Sequence, residues 1–140
     1  MSDDHAKASL KIDDLDEVLL RQVHPVHLDE DAVVQSVAFN PSREHQGLLS
    51  TLRERVGAEE AYRRHKDAGL ASAGTWGVSV READENSLPC LDDEHLPDSP
   101  PDHASIDFSA LSRKGAVRAA KLLRDAAVAR GCLHPAEDAS

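Results

Sequence analysis

Between Val18 and Leu52 the chain carries two short β-like apolar runs on either side of a Pro-containing turn. Val18 to Val23 reads as a strand that His24-Pro25 ends, since proline removes a ladder donor and restricts the residue before it. Ala32 to Phe39 (AVVQSVAF) reads as the strongest strand. It is Val-rich and mostly apolar, with Asp29 to Asp31 before it and Asn40-Pro41 after it. Leu48 to Leu52 fits a third strand or the start of a helix, and Gly47 before it with Ser50-Thr51 inside it favours the strand. Polar groups sit inside or at the ends of the runs (Arg21, His24, His27, Gln35, Ser36, Ser50 and Thr51), so this stretch is where a site is expected.

Helical signals come next. Ala58 to Ala68 has Glu59 and Glu60 in its first turn and Arg63, Arg64 and Lys66 later, which matches the helix dipole, and Gly69 is the stop. Thr75 to Arg81 alternates with period two, placing Trp76, Val78 and Val80 on one face. Trp76 therefore reads as core. Residues 84–102 form an acidic loop with four prolines, Pro89, Pro97, Pro100 and Pro101. His103 to Phe108 reads as a strand. Ser112 to Arg130 is the clearest helix: Ala116, Ala120, Leu123 and Ala127 make an apolar stripe, Ser112 fits the N-cap, and Gly131 fits the stop.

The order β-β-β-α-β-β-α lacks regular βαβ spacing. It predicts an α+β fold: one domain with a mostly antiparallel sheet of four to five strands and two helices, the longer one C-terminal. Residues 14–132 are the expected domain, with residues 1–13 a disordered acidic tail and residues 133–140 a disordered C-terminal tail. At 140 residues the chain can bury a single core. With only four aromatics that core must be built mainly from Leu, Val and Ala.

Charge excludes some functions. There are 16 Lys and Arg against 26 Asp and Glu, a net charge of −10, which argues against nucleic-acid binding. Residues 82–102 hold eight acids and no Lys or Arg, whereas residues 111–131 hold six bases and one acid. The basic helix is neutralised by the chain's own acidic loops, or it docks an acidic partner through Arg113, Lys114, Arg118, Lys121 and Arg124. The acidic N-terminus has no apolar core, so it does not read as a signal peptide, and no apolar run approaches the ~20 residues a membrane helix needs. Cys90 and Cys132 make no disulfide framework. These features predict a cytoplasmic protein without a membrane partner.

Several residues bear chemistry. His24, His27, Cys90, His95 and His103 are types that bind zinc, but their spacing is not that of the usual zinc modules, and no metal is assigned. His103, near Asp107, could act as a general base; no nucleophile can be assigned to it from sequence. Arg21, Ser50 and Glu82 fall in that order on successive strands. This resembles the layout of NAD-dependent ADP-ribosyltransferase-like folds, where Arg contacts phosphate, Ser orients the Arg and the sugar, and Glu stabilises the developing positive charge. No dinucleotide fingerprint, phosphate loop, nucleophile elbow or C-x-x-C is present, so no cofactor is implied.

The runs Arg21-Gln22-Val23-His24-Pro25, Phe39-Asn40-Pro41, Ala73-Gly74-Thr75-Trp76-Gly77-Val78-Ser79-Val80 and Pro101-Asp102-His103-Ala104-Ser105-Ile106-Asp107-Phe108 resemble a group of small uncharacterised bacterial proteins. The similarity covers about residues 17–132. It implies a complete domain and transfers no site residue. The sequence thus leads to a small protein-binding or accessory module, an immunity-like or operon partner. The alternative is a small NAD- or nucleotide-using enzyme with Arg21, His24, Ser50 and Glu82 in its site.

Overall fold

Alternating apolar residues on the central strands decide how the chain is layered. In the computed structural model, which describes residues 10–41 and 46–137, strand β2 (Val18–Gln22) lies beside β4 (Gly74–Ser79), with Leu19 opposite Val78 and Arg21 opposite Trp76. Strand β3 (Leu48–Leu52) lies beside β6 (His103–Asp107), with Leu49 opposite Ile106 and Ser50 opposite Ser105. Leu20 meets Leu52 and joins the two pairs. Strand β5 (Cys90–Asp92) adds to β6, and the two-residue strands β1 (Leu10–Lys11) and β7 (His134–Pro135) close the edges. Among the described residues the sheet has seven strands in the order β1-β5-β6-β3-β2-β4-β7, every pair antiparallel.

One face of this sheet carries the main core. Leu19, Leu49, Val78, Ala104 and Ile106 pack with Ala119, Ala120, Leu123 and Ala127 of helix α3 (Arg113–Arg130). Each large apolar side chain so buried contributes roughly 1.5–3 kcal/mol. The predicted stripe of α3 is the buried one. Ser112 caps it by accepting from the Gly115 N–H at 3.1 Å, and Gly131 ends it at φ 95°. Trp76 packs against this cluster, half-buried. Helix α1 (Ala58–Asp67) covers β2 and β4 on the opposite face through Ala61 and Tyr62.

The α+β class and the antiparallel sheet are as expected, but the seven strands and three helices of the described residues exceed the four to five strands and two helices predicted. Two of the additional strands have only two residues each, too short to show a period. They lie in segments assigned to tails, while β5 lies in the acidic loop. Of the expected tails, residues 1–9 and 138–140 lie outside the described residues. The third helix, α2 (Val80–Asp84), begins where strand β4 was expected to continue. Ser79 and Glu82 form a reciprocal capping box there, with Glu82 Oε1 accepting from Ser79 N at 2.7 Å and Ser79 Oγ accepting from Glu82 N at 3.1 Å.

The larger correction is at Ala32 to Phe39, which is not a strand. Asp29 Oδ1 accepts from the N–H groups of Asp31 and Val33, Ala32 turns at φ 62°, and Ser36–Phe39 closes as a 3-10 helix. Phe39, Ala38 and Val34 are buried in the main core while Val33 and Val37 stay exposed. The apolar content serves packing against α3, and the local aspartate turn prevails over the β-propensity of the valines.

The acidic loop is tied down by arginines outside α3. Arg53 binds Glu17 through two nitrogens, at 2.6 and 2.8 Å, and Asp92 at 2.8 Å. Asp102 is gripped by Arg55 at 2.7 Å and by Arg64 of α1 at 3.2 Å, and Arg55 also reaches Glu94 at 3.2 Å. These contacts fix the segment between β5 and β6 against α1 and the end of β3.

Candidate active site

Ser50, His103 and Ser105 share one face of the β3–β6 pair, because residues two apart on a strand point the same way. Ser105 lies directly opposite Ser50, and His103 is its diagonal neighbour. That is the face turned away from the main core, and Ser50 is exposed on it. Asp93 follows β5 directly. Its neighbour Asp92 is taken by Arg53, while Asp93 bonds to β6.

The result is a continuous polar line. Ser50 Oγ lies 2.7 Å from His103 Nε2, and His103 Nδ1 lies 2.6 Å from Asp93 Oδ1. Ser105 Oγ donates to the other carboxylate oxygen, Oδ2, at 2.6 Å. A carboxylate can only accept, so the proton of a neutral His103 sits on Nδ1. Nε2 is then left to accept from the Ser50 hydroxyl. Exposure grades along the line: the Asp93 side chain is 1% exposed and His103 14%, with Ser50 open to solvent. A buried acid orients a half-buried imidazole, which addresses an accessible hydroxyl. This is the role assignment of a serine–histidine–aspartate relay.

The backbone holds the parts in place. Asp102 sits at φ 64°, and its N–H donates to Glu94 Oε2 at 2.5 Å, which turns the chain into β6 so that His103 is its first residue. Thr51, next to Ser50, donates its hydroxyl to Ala104 O at 2.9 Å on the other side of the sheet. That bond fixes the register between the strands that carry Ser50 and His103.

Beside Ser50 lies a cleft of about 320 Å³, lined by Arg21, His27, Val37, Asn40, Pro41, Leu48, Leu49 and Ser50. Arg21 donates from Nη1 to the carbonyl of Ser50 itself, at 2.9 Å, and from Nε to Ala38 O at 3.0 Å. Among the described residues it has no carboxylate partner. Desolvation by burial pulls the Arg21 guanidinium down to about 10.

The other residues singled out from sequence are dispersed. His24 caps the short 3-10 helix Pro25–His27, its Nδ1 accepting from Val26 N at 3.0 Å. Glu82 is held in the α2 capping box and by two nitrogens of Arg130, at 2.8 and 2.9 Å. Arg21 and Ser50 therefore meet in the cleft, while His24 and Glu82 are absent from its lining. Asp107 accepts from the Ser109 N–H and lies at the other end of β6 from His103, with no hydrogen bond between the two among the described residues. Cys90 is buried in the main core, where desolvation pushes its thiol up to about 12. Among the described residues the one group of three side chains within metal-binding range is Glu59, His134 and Glu137, and it includes none of the five residues weighed for zinc. Of the basic residues on α3, Arg113, Lys114, Arg118 and Lys121 are exposed; Arg124 bonds Asp125 and the Val34 carbonyl.

Asp93 is the residue that sequence reasoning did not single out. It stands in a run of three acids, Asp92 to Glu94, and nothing local separates it from its neighbours. No protein-family model matches this chain, and neither a curated protein nor a solved structure is similar to it. Among the described residues no helix is long and apolar enough to cross a membrane.

Proposed function

We propose that this protein is a serine hydrolase that cleaves a small ester or activated acyl substrate. The observation that carries the reading is the chain of short contacts from Ser50 through His103 to the buried Asp93. In the first step Ser50 Oγ attacks the acyl carbon, and its proton passes to His103 Nε2. The bond to the leaving oxygen breaks, and that oxygen takes the proton from His103. In the second step water attacks the acyl-serine, again losing its proton to His103, and Ser50 recovers its own. Asp93 stays ionised and stabilises the imidazolium formed in each step.

The test is hydrolysis of 4-nitrophenyl esters of short acids by the wild type and by Ser50→Ala. Turnover that disappears in Ser50→Ala supports the reading. Absence of turnover across a chain-length series, or equal turnover by the variant, contradicts it.

A binding role has support of its own. Arg113, Lys114, Arg118 and Lys121 are exposed on α3, where Val117 and Leu122 are 47% and 44% exposed beside them. None of the four cations has a carboxylate partner among the described residues. A mixed basic and apolar helix face suits an acidic protein segment. Loss of a pulled-down partner on Lys114→Glu with Arg118→Glu tests it. The nucleotide-using alternative has less support, since Glu82 is bound to Arg130.

A further inference from the structure

The cleft beside Ser50 combines one cation with an apolar wall. Val37, Pro41, Leu48 and Leu49 supply the wall, Asn40 and His27 add polar edges, and among the described residues Arg21 is the sole formal charge in the lining. Among the described residues the only hydrogen bonds of Arg21 are to two carbonyls, Ala38 O and Ser50 O. A half-buried guanidinium paired only with carbonyls keeps part of its charge uncompensated, which is costly. A bound anion would remove that cost. Charge number narrows the choice. His27 is held below its ordinary value by desolvation first and then by its neighbours His24 and Arg21, which leaves Arg21 as the fixed charge of the cleft. One positive charge suits a monoanion, and a planar guanidinium suits a carboxylate.

We infer that the Arg21 cleft binds a carboxylate on the acyl portion of the substrate, so that the protein acts on half-esters of short dicarboxylic acids. This rests on the acyl-transfer reading of Ser50 and adds the substrate class to it. Arg21 Nη1 sits on the backbone carbonyl of Ser50, so a carboxylate on Arg21 lies beside the strand position that carries the attacking hydroxyl. The apolar wall takes the methylenes between the two groups.

The experiment compares 4-nitrophenyl hemisuccinate and hemiglutarate with the neutral 4-nitrophenyl butyrate. The wild type should favour a half-ester by about tenfold or more in kcat/KM, the size expected of one charge-assisted contact. Arg21→Met should lower that ratio towards one. Arg21 also ties Ala38 to Ser50, so Arg21→Met can fail to fold. Val37→Glu serves as the second variant, since Val37 is 48% exposed and the new charge repels a carboxylate from the same cleft. A neutral ester preferred by the wild type, or a ratio unmoved in both variants, overturns the inference. Succinate binding to Ser50→Ala, followed by calorimetry, separates the two claims. Binding that Val37→Glu abolishes, with no ester turned over by the wild type, keeps the anion cleft and sinks the hydrolase reading. No turnover and no binding overturn both.

Discussion

His103 Nε2 meets Ser50 Oγ at 2.7 Å across a strand diagonal, although the register pairs His103 with Leu52 and Ser50 with Ser105. The diagonal contact leaves Ser105, the residue directly opposite Ser50, free to bond the same aspartate that orients the imidazole. Three β-sheet positions and one loop acid thus make the site, and each can be altered separately.

Replacing the acid should affect rate far more than fold. Asp93→Asn presents an amide in place of the carboxylate, which weakens the orientation of His103 and removes the charge that stabilises the imidazolium. Ester hydrolysis should fall by about 10²–10⁴-fold. Ser105→Ala removes one of the hydrogen bonds to Asp93 and should cost about fivefold, in line with ~1 kcal/mol per hydrogen bond. Steady-state kinetics on both variants checks the order; equal loss in the two would contradict separate roles.

Arg53 should matter for stability. Its guanidinium is 15% exposed and joins Glu17 at the start of β2 to Asp92 at the end of β5. Arg53→Ala leaves two acids facing a site that has lost its cation and should destabilise the fold by about 2–3 kcal/mol. Urea unfolding reads this directly. Arg53→Lys should recover only part of it, because an ammonium cannot reproduce the fork on Glu17.

Stability should fall at acid pH for a defined reason. The hydrogen bond from Arg53 holds Glu17 below its ordinary 4.5, and the hydrogen bond from Arg55 lowers Asp102 in the same way. For Glu82 burial acts upward, and the Arg130 and Ser79 contacts outweigh it. Groups with depressed folded values bind protons more readily when unfolded. Their contribution is complete above the unfolded values and is lost as pH falls through the folded ones. The urea midpoint should hold down to about pH 5 and then decline. Glu17→Gln should flatten that decline and lower the plateau.

The two thiols should differ in reactivity. Cys90 is buried and its thiol is pushed up to about 12, whereas Cys132 is exposed. A disulfide reagent should modify one thiol in the native protein and both in denaturant. Two rapid equivalents in the native state would mean that the β5 side of the core opens readily.

The sequence made the central elements legible where a period could run. The Trp76–Val78 alternation, the LLSTL strand and the stripe of α3 all span enough residues to show one. Leu10–Lys11 and His134–Pro135 do not, and their strands exist only because β5 and β4 offer edges. At Gly74, opposite Pro135, φ is 137° and a Cβ would lie 2.7 Å from the His134 carbonyl oxygen, so this close approach needs glycine. Ala32 to Phe39 misled because its valines fit a strand equally well, and only the fold shows that the main core takes Val34, Ala38 and Phe39 while Val33 and Val37 stay exposed. The site was half visible. Ser50 and His103 each stood out by residue type, but their pairing depends on register, and Asp93 among its acidic neighbours carried no local mark.

The most direct test of the relay is covalent labelling with a fluorophosphonate probe, followed by peptide mapping. An activated serine attacks phosphorus and displaces fluoride, whereas an ordinary surface serine does not. The account predicts a single adduct on Ser50, lost in Ser50→Ala and strongly slowed in His103→Gln. An unlabelled wild type, or an adduct elsewhere that survives His103→Gln, would contradict it.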